Sequence, residues 1–328
     1  MKFKIECVNC ALLSINRIKK VNVFTAGTVI FRAYQSRQKK MNQRILITGS
    51  TGNVGIETIH YLLSSAVNNG EIMAGVRDIE KSKTLFSNYP NLYYRYFDFE
   101  NADSWQPAFT EIDMLFLLRP PQIANLQLFD CLLDTALRNG IRKIVFLSVQ
   151  DADRMSYIPH AKIEKLIQAK GMPYVFLRPS YFMQNLTTTL AADIKNRKIV
   201  LPAANAPFNW VDVANIGEVA ASVLLDFETY THQALEITGS ENLSFPEVVS
   251  LINAITHMGL SYESPSLLRF FLYKKRQGVT TPMILVMIML HFLPRFRKPP
   301  HISDTYHRIT GKNPTLLSEY IGKTFPVL

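Results

Sequence analysis

The stretch from residue 44 to residue 56 constrains the fold more than any other part of the chain. Four residues with strand character run into three glycines, Gly49, Gly52 and Gly55, and apolar residues at helical spacing follow at once. A strand, a glycine-rich turn and a helix start form the arrangement that holds a dinucleotide pyrophosphate. The helix N-terminus offers free N–H groups and a partial positive charge to the phosphates.

Each glycine is expected to have its own role in this turn. Gly49 allows the tight turn out of the strand, Gly52 lets the backbone approach the phosphates, and Gly55 lets the helix pack close to the strand. The spacing is Gly-x-x-Gly-x-x-Gly rather than Gly-x-Gly-x-x-Gly. We therefore predict that cofactor is bound by seven consecutive residues: Gly49, Ser50, Thr51, Gly52, Asn53, Val54 and Gly55.

Alternating strand and helix patterns continue from this turn as far as residue 178. The alternation predicts an α/β fold with a doubly wound parallel sheet of the Rossmann type. Ligands of such sheets bind beyond the carboxyl ends of the strands. Further cofactor-binding residues are therefore predicted at those ends: Leu118, Ser148, Pro179 and Tyr181.

The second predicted strand ends in a residue that bears on cofactor choice. Arg77 follows this strand, 22 residues after Gly55. An acid at this position would accept a hydrogen bond from the ribose 2′-hydroxyl of NAD, whereas arginine accommodates the 2′-phosphate of NADP. Asp78 comes one residue later, so we predict binding of NADP(H) in preference to NAD(H). Asp98, at the end of the third strand, is a candidate acceptor for the adenine amino group.

The length of 328 residues is enough for one large domain or two modest ones. We predict a basic extension over residues 1–41, a Rossmann domain over 42–186, and a smaller, mostly helical lobe over 187–328. This lobe is expected to hold a substrate or partner and to return some strands to the sheet. Three cysteines make no disulfide framework, so a reducing compartment, the cytoplasm, is expected.

The net charge of +10 belongs mainly to the first 40 residues, which carry nine Lys or Arg and one acid. The rest of the chain has a net charge of only +2, so no nucleic-acid partner is expected. The extension has three interpretations: a targeting segment, a flexible arm, or sequence upstream of a true start at Met41, which we favour. Cys7 and Cys10 have metal-pair spacing but no second pair, so no metal site is predicted.

Residues 281–293 form a very apolar helical pattern that ends at Pro294 and Arg295. The pattern is too short to span a bilayer, and no transmembrane segment is predicted. Burial against the sheet domain or a substrate cleft is the favoured interpretation. The alternative is an interfacial or dimer-facing helix, which would mean a homodimer or a protein partner.

The catalytic pair of an ordinary short-chain dehydrogenase is absent. Such an enzyme needs Tyr-x-x-x-Lys on the helix after the fifth strand, where the tyrosine is a general acid and the lysine lowers its pKa. Ile158 lies four residues before Lys162, and Tyr157 lies five residues before it. Lys162, close to the helix start at His160, remains the candidate catalytic residue.

Several motifs, in this order along the chain, resemble the NmrA-like group of atypical short-chain dehydrogenases/reductases. They are Thr48–Gly55, Val76-Arg77, Leu117–Pro121, Phe146–Val149, Pro159–Lys165, Leu177–Asn185 and Ile309–Pro314. The resemblance covers about residues 42–325 and implies NADP(H) binding, with a helical lobe over the nicotinamide end. Lys162 matches a lysine that reductases of this group keep without the tyrosine. Its implied roles are to bind the nicotinamide ribose and to donate a proton, directly or through water.

The resemblance leaves two functions open, since the group includes reductases and proteins that only sense NADP. The first is an NADPH-dependent oxidoreductase that transfers hydride to a small, hydrophobic, conjugated substrate, quinone-like or dye-like. Such a substrate needs little acid catalysis, which fits the missing tyrosine. The second is a non-catalytic, NADP(H)-binding redox-sensing regulator. For a reductase, the expected pocket wall is Phe182, Met183, Phe208, Trp210, Met283 and Met287.

Overall fold

A seven-stranded parallel sheet lies at the centre of the computed structural model, which describes residues 43–65 and 70–326. The strands of this part of the chain are β1 (Arg44–Ile47), β2 (Glu71–Val76), β3 (Leu92–Tyr96), β4 (Met114–Leu117), β5 (Lys143–Leu147), β6 (Tyr174–Pro179), β7 (Tyr181–Phe182), β8 (Lys198–Val200), β9 (Pro207–Val211), β10 (Gln233–Ile237), β11 (Asn242–Ser244) and β12 (Ser261–Glu263). The predictions for residues 1–41, including Cys7 and Cys10, concern residues outside the described ranges.

Helices cover the sheet and build the second half of the chain. They are α1 (Asn53–Ser64), α2 (Ile79–Leu85), α3 (Trp105–Phe109), α4 (Leu126–Arg138), α5 (Pro159–Ala169), α6 (Ala191–Lys195), α7 (Val213–Leu225), α8 (Phe227–Tyr230), α9 (Phe245–Thr256), α10 (Leu267–Arg276), α11 (Thr281–Phe292), α12 (Thr305–Thr310) and α13 (Leu317–Thr324). Short 3₁₀ turns occur at Ala102–Ser104, Met183–Leu186 and Leu293–Phe296.

The strand order of the large sheet is β10-β6-β5-β4-β1-β2-β3, and every neighbouring pair is parallel. Both faces of the sheet are buried, as parallel sheets require. Ile45 and Ile47 of β1 join one core with α1 and α7, whereas Leu46 joins the other with α3, α4 and α5. The predicted doubly wound parallel fold is therefore confirmed.

The second lobe has its own core beyond β7. It contains the three-stranded sheet β11-β9-β7, the two-stranded sheet β12-β8 and most of the late helices. A buried ion pair ties α10 to α6, with the Lys274 ammonium 2.9 Å from an Asp193 carboxylate oxygen. Burial of two charges is costly unless they are paired, so this pair fixes the register of the two helices.

Helix α11 differs from the favoured interpretation of its sequence. Ile284, Met287 and His291 are buried, and Ile284 and Met287 belong to the core of the second lobe. The opposite face is exposed although it is apolar; it consists of Met283, Leu285, Val286, Met289 and Leu290. The prediction of burial is wrong for this half of the helix. No helix of the described residues is long and apolar enough to cross a membrane.

Helices α1 and α7 cross at a glycine. A Cβ atom built on Gly217 of α7 would lie 2.5 Å from the Glu57 Cβ and 2.7 Å from the Glu57 carbonyl carbon of α1. Real Cβ atoms do not come so close to another heavy atom, so the backbones would have to separate. The contact matters to the site because α1 begins at the glycine turn.

We expect Gly217→Ala to destabilise the protein by about 1–3 kcal/mol, the usual cost of inserting a carbon into a packed contact. Urea unfolding measures the effect. Gly322→Ala is the matched control, because Gly322 is also helical and a Cβ there meets nothing within 4 Å. The control should be neutral or stabilising by up to about 1 kcal/mol. Equal stability of the two variants would contradict the close contact.

Candidate active site

The glycine turn closes on itself at the carboxyl edge of the sheet. Gly49 has a φ of +57°, a left-handed conformation. The Gly52 N–H donates to the Gly49 carbonyl at 2.9 Å. A Cβ on Gly55 would lie 2.5 Å from the Gly49 carbonyl oxygen and 2.6 Å from the Ser50 Cα. The turn therefore keeps this shape only with glycine at position 55.

Two buried hydroxyl groups fix the turn to the neighbouring strands. The Thr48 Oγ1 accepts from the Leu118 N–H at 2.8 Å, and the Ser50 Oγ donates to the Gly75 carbonyl at 2.9 Å. These bonds join the ends of β1, β4 and β2. Helix α1 then starts at Gly52 without a side-chain cap. Its first N–H groups are left for another acceptor, as at helix N-termini that bind anions.

A cleft of about 480 Å³ runs along this edge of the sheet. Nine of the predicted cofactor residues line it: Gly49, Thr51, Gly52, Asn53, Val54, Gly55, Arg77, Asp98 and Leu118. Arg119 and Asn185 also line it; both belong to the family-like motifs but were not predicted as cofactor-binding residues, and Phe97, Glu100 and Thr188 were not singled out at all. Asn185 and Thr188 belong to the second lobe, which therefore closes one end of the cleft.

At the opposite end of the cleft, Arg77 and Asp78 follow β2 and differ in whether their side chains are available to a ligand. The Asp78 carboxylate caps α2 by accepting from the Lys81 N–H at 3.0 Å. Arg77 is exposed and makes no ion pair within the described residues. One Asp98 carboxylate oxygen accepts from the Glu100 N–H at 3.0 Å. Arg77 is thus the cation that remains available to a ligand here.

Five predicted site residues lie outside the cleft lining: Ser50, Ser148, Lys162, Pro179 and Tyr181. Ser148 is 2% exposed at the end of β5, next to the lining residue Leu147. Its Oγ has no hydrogen-bond partner among the described residues. Pro179 is buried in β6 and pairs with Ile237 of β10. Lys162 is exposed on the first turn of α5.

Tyr181 packs against the core of the second lobe. Its hydroxyl donates to the His291 Nε2 at 3.0 Å, and the His291 Nδ1 donates to the Met287 carbonyl at 2.7 Å. Burial lowers the pKa of His291 to about 4 and raises the pKa of Tyr181. Both side chains are therefore neutral at physiological pH, and they orient one another.

Arg119 and His160 form a contact that the sequence analysis did not predict. Arg119 lines the cleft directly after Leu118, and its Nε donates to the His160 Nε2 at 3.3 Å. Burial lowers the pKa of Arg119 to about 10. Burial and the charge of Arg119 lower the pKa of His160 to about 3. Neutral His160 thus holds a charged guanidinium at the cleft.

The expected apolar pocket wall is largely absent from the cleft. Phe182 lines it, but Met183, Phe208, Trp210 and Met287 are buried in the second-lobe core, and Met283 is exposed. No tyrosine, lysine or histidine is among the described lining residues. The cleft therefore offers an anion site, two arginines, Arg77 and Arg119, and a phenylalanine face, without a side-chain proton donor of the usual kind.

Comparison with known proteins finds a matching family and several similar proteins. The sequence model of the NmrA-like family matches residues 41–272. Prestalk A differentiation protein A of Dictyostelium discoideum is 27% identical over 283 residues, which cover 86% of this chain and 92% of that protein.

Two solved structures share the fold. The NADP(H) complex of triphenylmethane reductase from Citrobacter sp. has a TM-score of 0.74 and 22% identity, over 86% of this chain and 100% of that one. The NADP complex of NmrA, a negative transcriptional regulator, has a TM-score of 0.67 and 15% identity, over 88% and 96% of the two chains.

The Arg119–His160 contact predicts a pH dependence of stability. Between pH 6.5 and about 3 the unfolded chain protonates this histidine, whereas the folded chain keeps it neutral. The free energy of unfolding therefore falls as the pH falls, by at most about 2 kcal/mol from this residue between pH 7 and about pH 5. In urea unfolding, His160→Gln should lose less stability than the wild type over this interval. Equal losses would contradict the lowered pKa.

Proposed function

The chain belongs to the NmrA-like family, and we propose that it is an NADPH-dependent reductase of small, apolar, conjugated substrates such as quinones or dyes. The observation that carries the proposal is the single cleft that runs from Arg77, past the uncapped start of α1, to Phe182 and Asn185 of the second lobe. Such a cleft suits a long anionic cofactor with a small substrate at one end.

The residues present fit the cofactor. A Cβ on Gly52 would meet only the Gly49 carbonyl oxygen, at 3.2 Å, so this side of the turn is otherwise open to a pyrophosphate, and the first N–H groups of α1 have no side-chain acceptor. Arg77 would hold the 2′-phosphate, because the Asp78 carboxylate is engaged in capping α2. This arrangement supports NADP(H) over NAD(H). Asp98 would meet the adenine amino group.

Ser148 supports ligand binding at the other end of the cofactor. An unpaired hydroxyl that is fully removed from water costs free energy, and a bound ligand is one partner that removes this cost. Ser148 follows Leu147, which lines the cleft. We propose that its Oγ hydrogen-bonds the nicotinamide end of the cofactor. Pro179 and Tyr181 would act without touching the cofactor: Pro179 would fix the end of β6, and Tyr181 would fix the second lobe.

When bound, the cofactor supplies a hydride, and the protein residues position the substrate and stabilise charge. Arg119 would stabilise negative charge that develops on a quinone-like oxygen. A conjugated acceptor needs little acid catalysis, which matches a cleft lined by no tyrosine, lysine or histidine among the described residues. Lys162 would bind the nicotinamide ribose and donate the proton after its exposed ammonium turns toward the cleft.

The similar reductase structure supports this function, because it holds NADP(H) on the same fold. A second candidate is a regulator that binds NADP(H) as a signal without turnover. It is favoured by the exposed position of Lys162 outside the cleft lining, and by the similar fold of the NADP-bound transcriptional regulator. A reducing, cytoplasmic setting fits either function, since Cys131 is a free, exposed thiol.

Turnover distinguishes the two functions. The purified protein should oxidise NADPH in the presence of small quinones or triphenylmethane dyes, followed by nicotinamide absorbance. Ser148→Ala should leave the stability of the cofactor-free protein unchanged or slightly raised, because it removes an unpaired buried hydroxyl. It should weaken NADPH binding by about tenfold, the value of one hydrogen bond.

Lys162→Ala tests the remaining catalytic assignment in the same assay, and we expect turnover to fall while NADPH still binds. Tight NADPH binding with no turnover across the whole panel would reject the reductase and favour the regulator. Unchanged NADPH binding in Ser148→Ala would show that the hydroxyl does not meet the cofactor.

Arg77→Ala tests the cofactor preference. Loss of a charge-assisted contact to the 2′-phosphate should weaken NADPH binding by about 2 kcal/mol, roughly 30-fold, and leave NADH binding nearly unchanged. Titration calorimetry measures both affinities. Arg142→Ala is the matched control, because Arg142 is an exposed arginine at the amino end of β5, away from the cleft edge. Equal weakening of both cofactors would contradict the role of Arg77.

A further inference from the structure

Exposed apolar side chains occur on both α10 and α11, and together we call them the outer apolar face. It consists of Leu268 and Leu272 of α10, Met283, Leu285, Val286, Met289 and Leu290 of α11, and Phe296 after α11. Leu268 is 70% exposed and Phe296 is 72% exposed. The two helices pack against each other.

Helix α11 lacks the polar side that a surface helix normally has. A helix that buries one stripe against a core carries charged or polar residues on its opposite side. In α11 the buried stripe is Ile284, Met287 and His291, yet every exposed position from Pro282 to Leu290 is apolar. An exposed apolar surface of this kind marks an interaction site.

The charge of the surrounding segment indicates what this surface meets. Residues 264–303 contain seven Lys or Arg and no Asp or Glu, a net charge of +7. The rest of the chain from residue 41 onward has a net charge of −5. Lys274 is paired with Asp193 and Arg269 with Glu263, so five of the seven cations have no acidic partner among the described residues. This segment therefore carries unpaired positive charge, although the body of the protein as a whole is nearly neutral.

Cations and aromatic rings lie together at the ends of the two helices. Lys275 and Arg276 end α10. After α11, the Arg295 guanidinium lies 4.9 Å from the ring centroid of Phe292 and 5.9 Å from that of Phe296. Apolar side chains bordered by arginine, lysine and aromatic rings are typical of helices that lie in the interface of a bilayer.

We propose that the outer apolar face binds the surface of an anionic phospholipid bilayer. The side chains of Leu285, Met289 and Leu290 enter the boundary between headgroups and acyl chains, and Phe296 lies at headgroup level. Arg276, Arg295 and Lys298 contact lipid phosphates and carboxylates. The helix lies in the plane of the interface and does not cross the bilayer, in agreement with its length.

A second copy of the chain fits this surface less well. In a two-fold symmetric dimer the same patch faces itself. Each copy would then bring the five unpaired cations of this segment to the same interface, and like charges across an interface are unfavourable. An anionic membrane satisfies both the apolar and the cationic parts of the surface.

Vesicle co-sedimentation of the full-length chain tests the proposal. The protein should sediment with mixed phosphatidylcholine–phosphatidylserine vesicles, much less with phosphatidylcholine alone, and less as the salt concentration rises. L285E/L290E should abolish sedimentation. Leu85→Glu is the matched control, because Leu85 is an equally exposed leucine on α2, 51% against 55% for Leu285. It should sediment like the wild type.

A second pair of variants tests the contribution of the cations beside the outer apolar face. R276E/K298E should lower the vesicle partition coefficient at least about 25-fold, since each cation near an anionic surface contributes about fivefold. Arg142→Glu, an exposed arginine at the amino end of β5, should leave it unchanged. Circular dichroism establishes that each variant is folded.

Three outcomes would overturn the proposal. One is failure of the wild type to sediment with the anionic vesicles, and another is equal binding to both vesicle types. The third is a dimer, seen by analytical ultracentrifugation, that L285E/L290E dissociates while vesicles bind no protein. That result would assign the face to a second copy.

Discussion

The site depends on a lack of space inside the glycine turn. At position 55 there is no room for one further carbon, because the Gly49 carbonyl and the Ser50 Cα already fill the position. Thr48 and Ser50 then hold this compact turn against the ends of β4 and β2. The direction of α1, and so the position of its free N–H groups, follows from these contacts. The close packing of the turn thus sets the position of the helix N-terminus, and the attraction of that N-terminus for an anion depends on this position.

Much of the fold is predictable from local sequence patterns. The alternation of strands and helices and the glycine spacing each depend on neighbouring residues, so the parallel sheet and the turn could be inferred before the structure. The contact between Arg119 and His160 could not, because it joins residues 41 positions apart through the packing of α5 against the end of β4. The same limit explains Tyr181, whose sequence position suited the cleft but whose ring packs against the core of the second lobe.

Helix α11 shows a related limit of sequence reasoning. Apolar composition predicts that a helix is buried, but it does not predict which surface the helix packs against. Here the core of the second lobe contacts one stripe only. The cations that would help the exposed side of α11 to bind a membrane lie in the preceding helix and in the following turn. Their position relative to α11 depends on the packing of α10 against α11.

The chain returns to the central sheet late in the sequence. The sheet can therefore be completed only after most of the chain has been synthesised. Helix α7, which covers α1 through Gly217, starts about 160 residues after α1 starts, and β10 adds the last strand beside β6. During synthesis, the first half of the chain leaves the ribosome with an uncovered helix and an unpaired sheet edge. Such edges promote aggregation until they are paired. The sheet edge at β6 therefore stays open until β10 has emerged, and we expect a chain truncated before this strand to aggregate more readily than the whole chain.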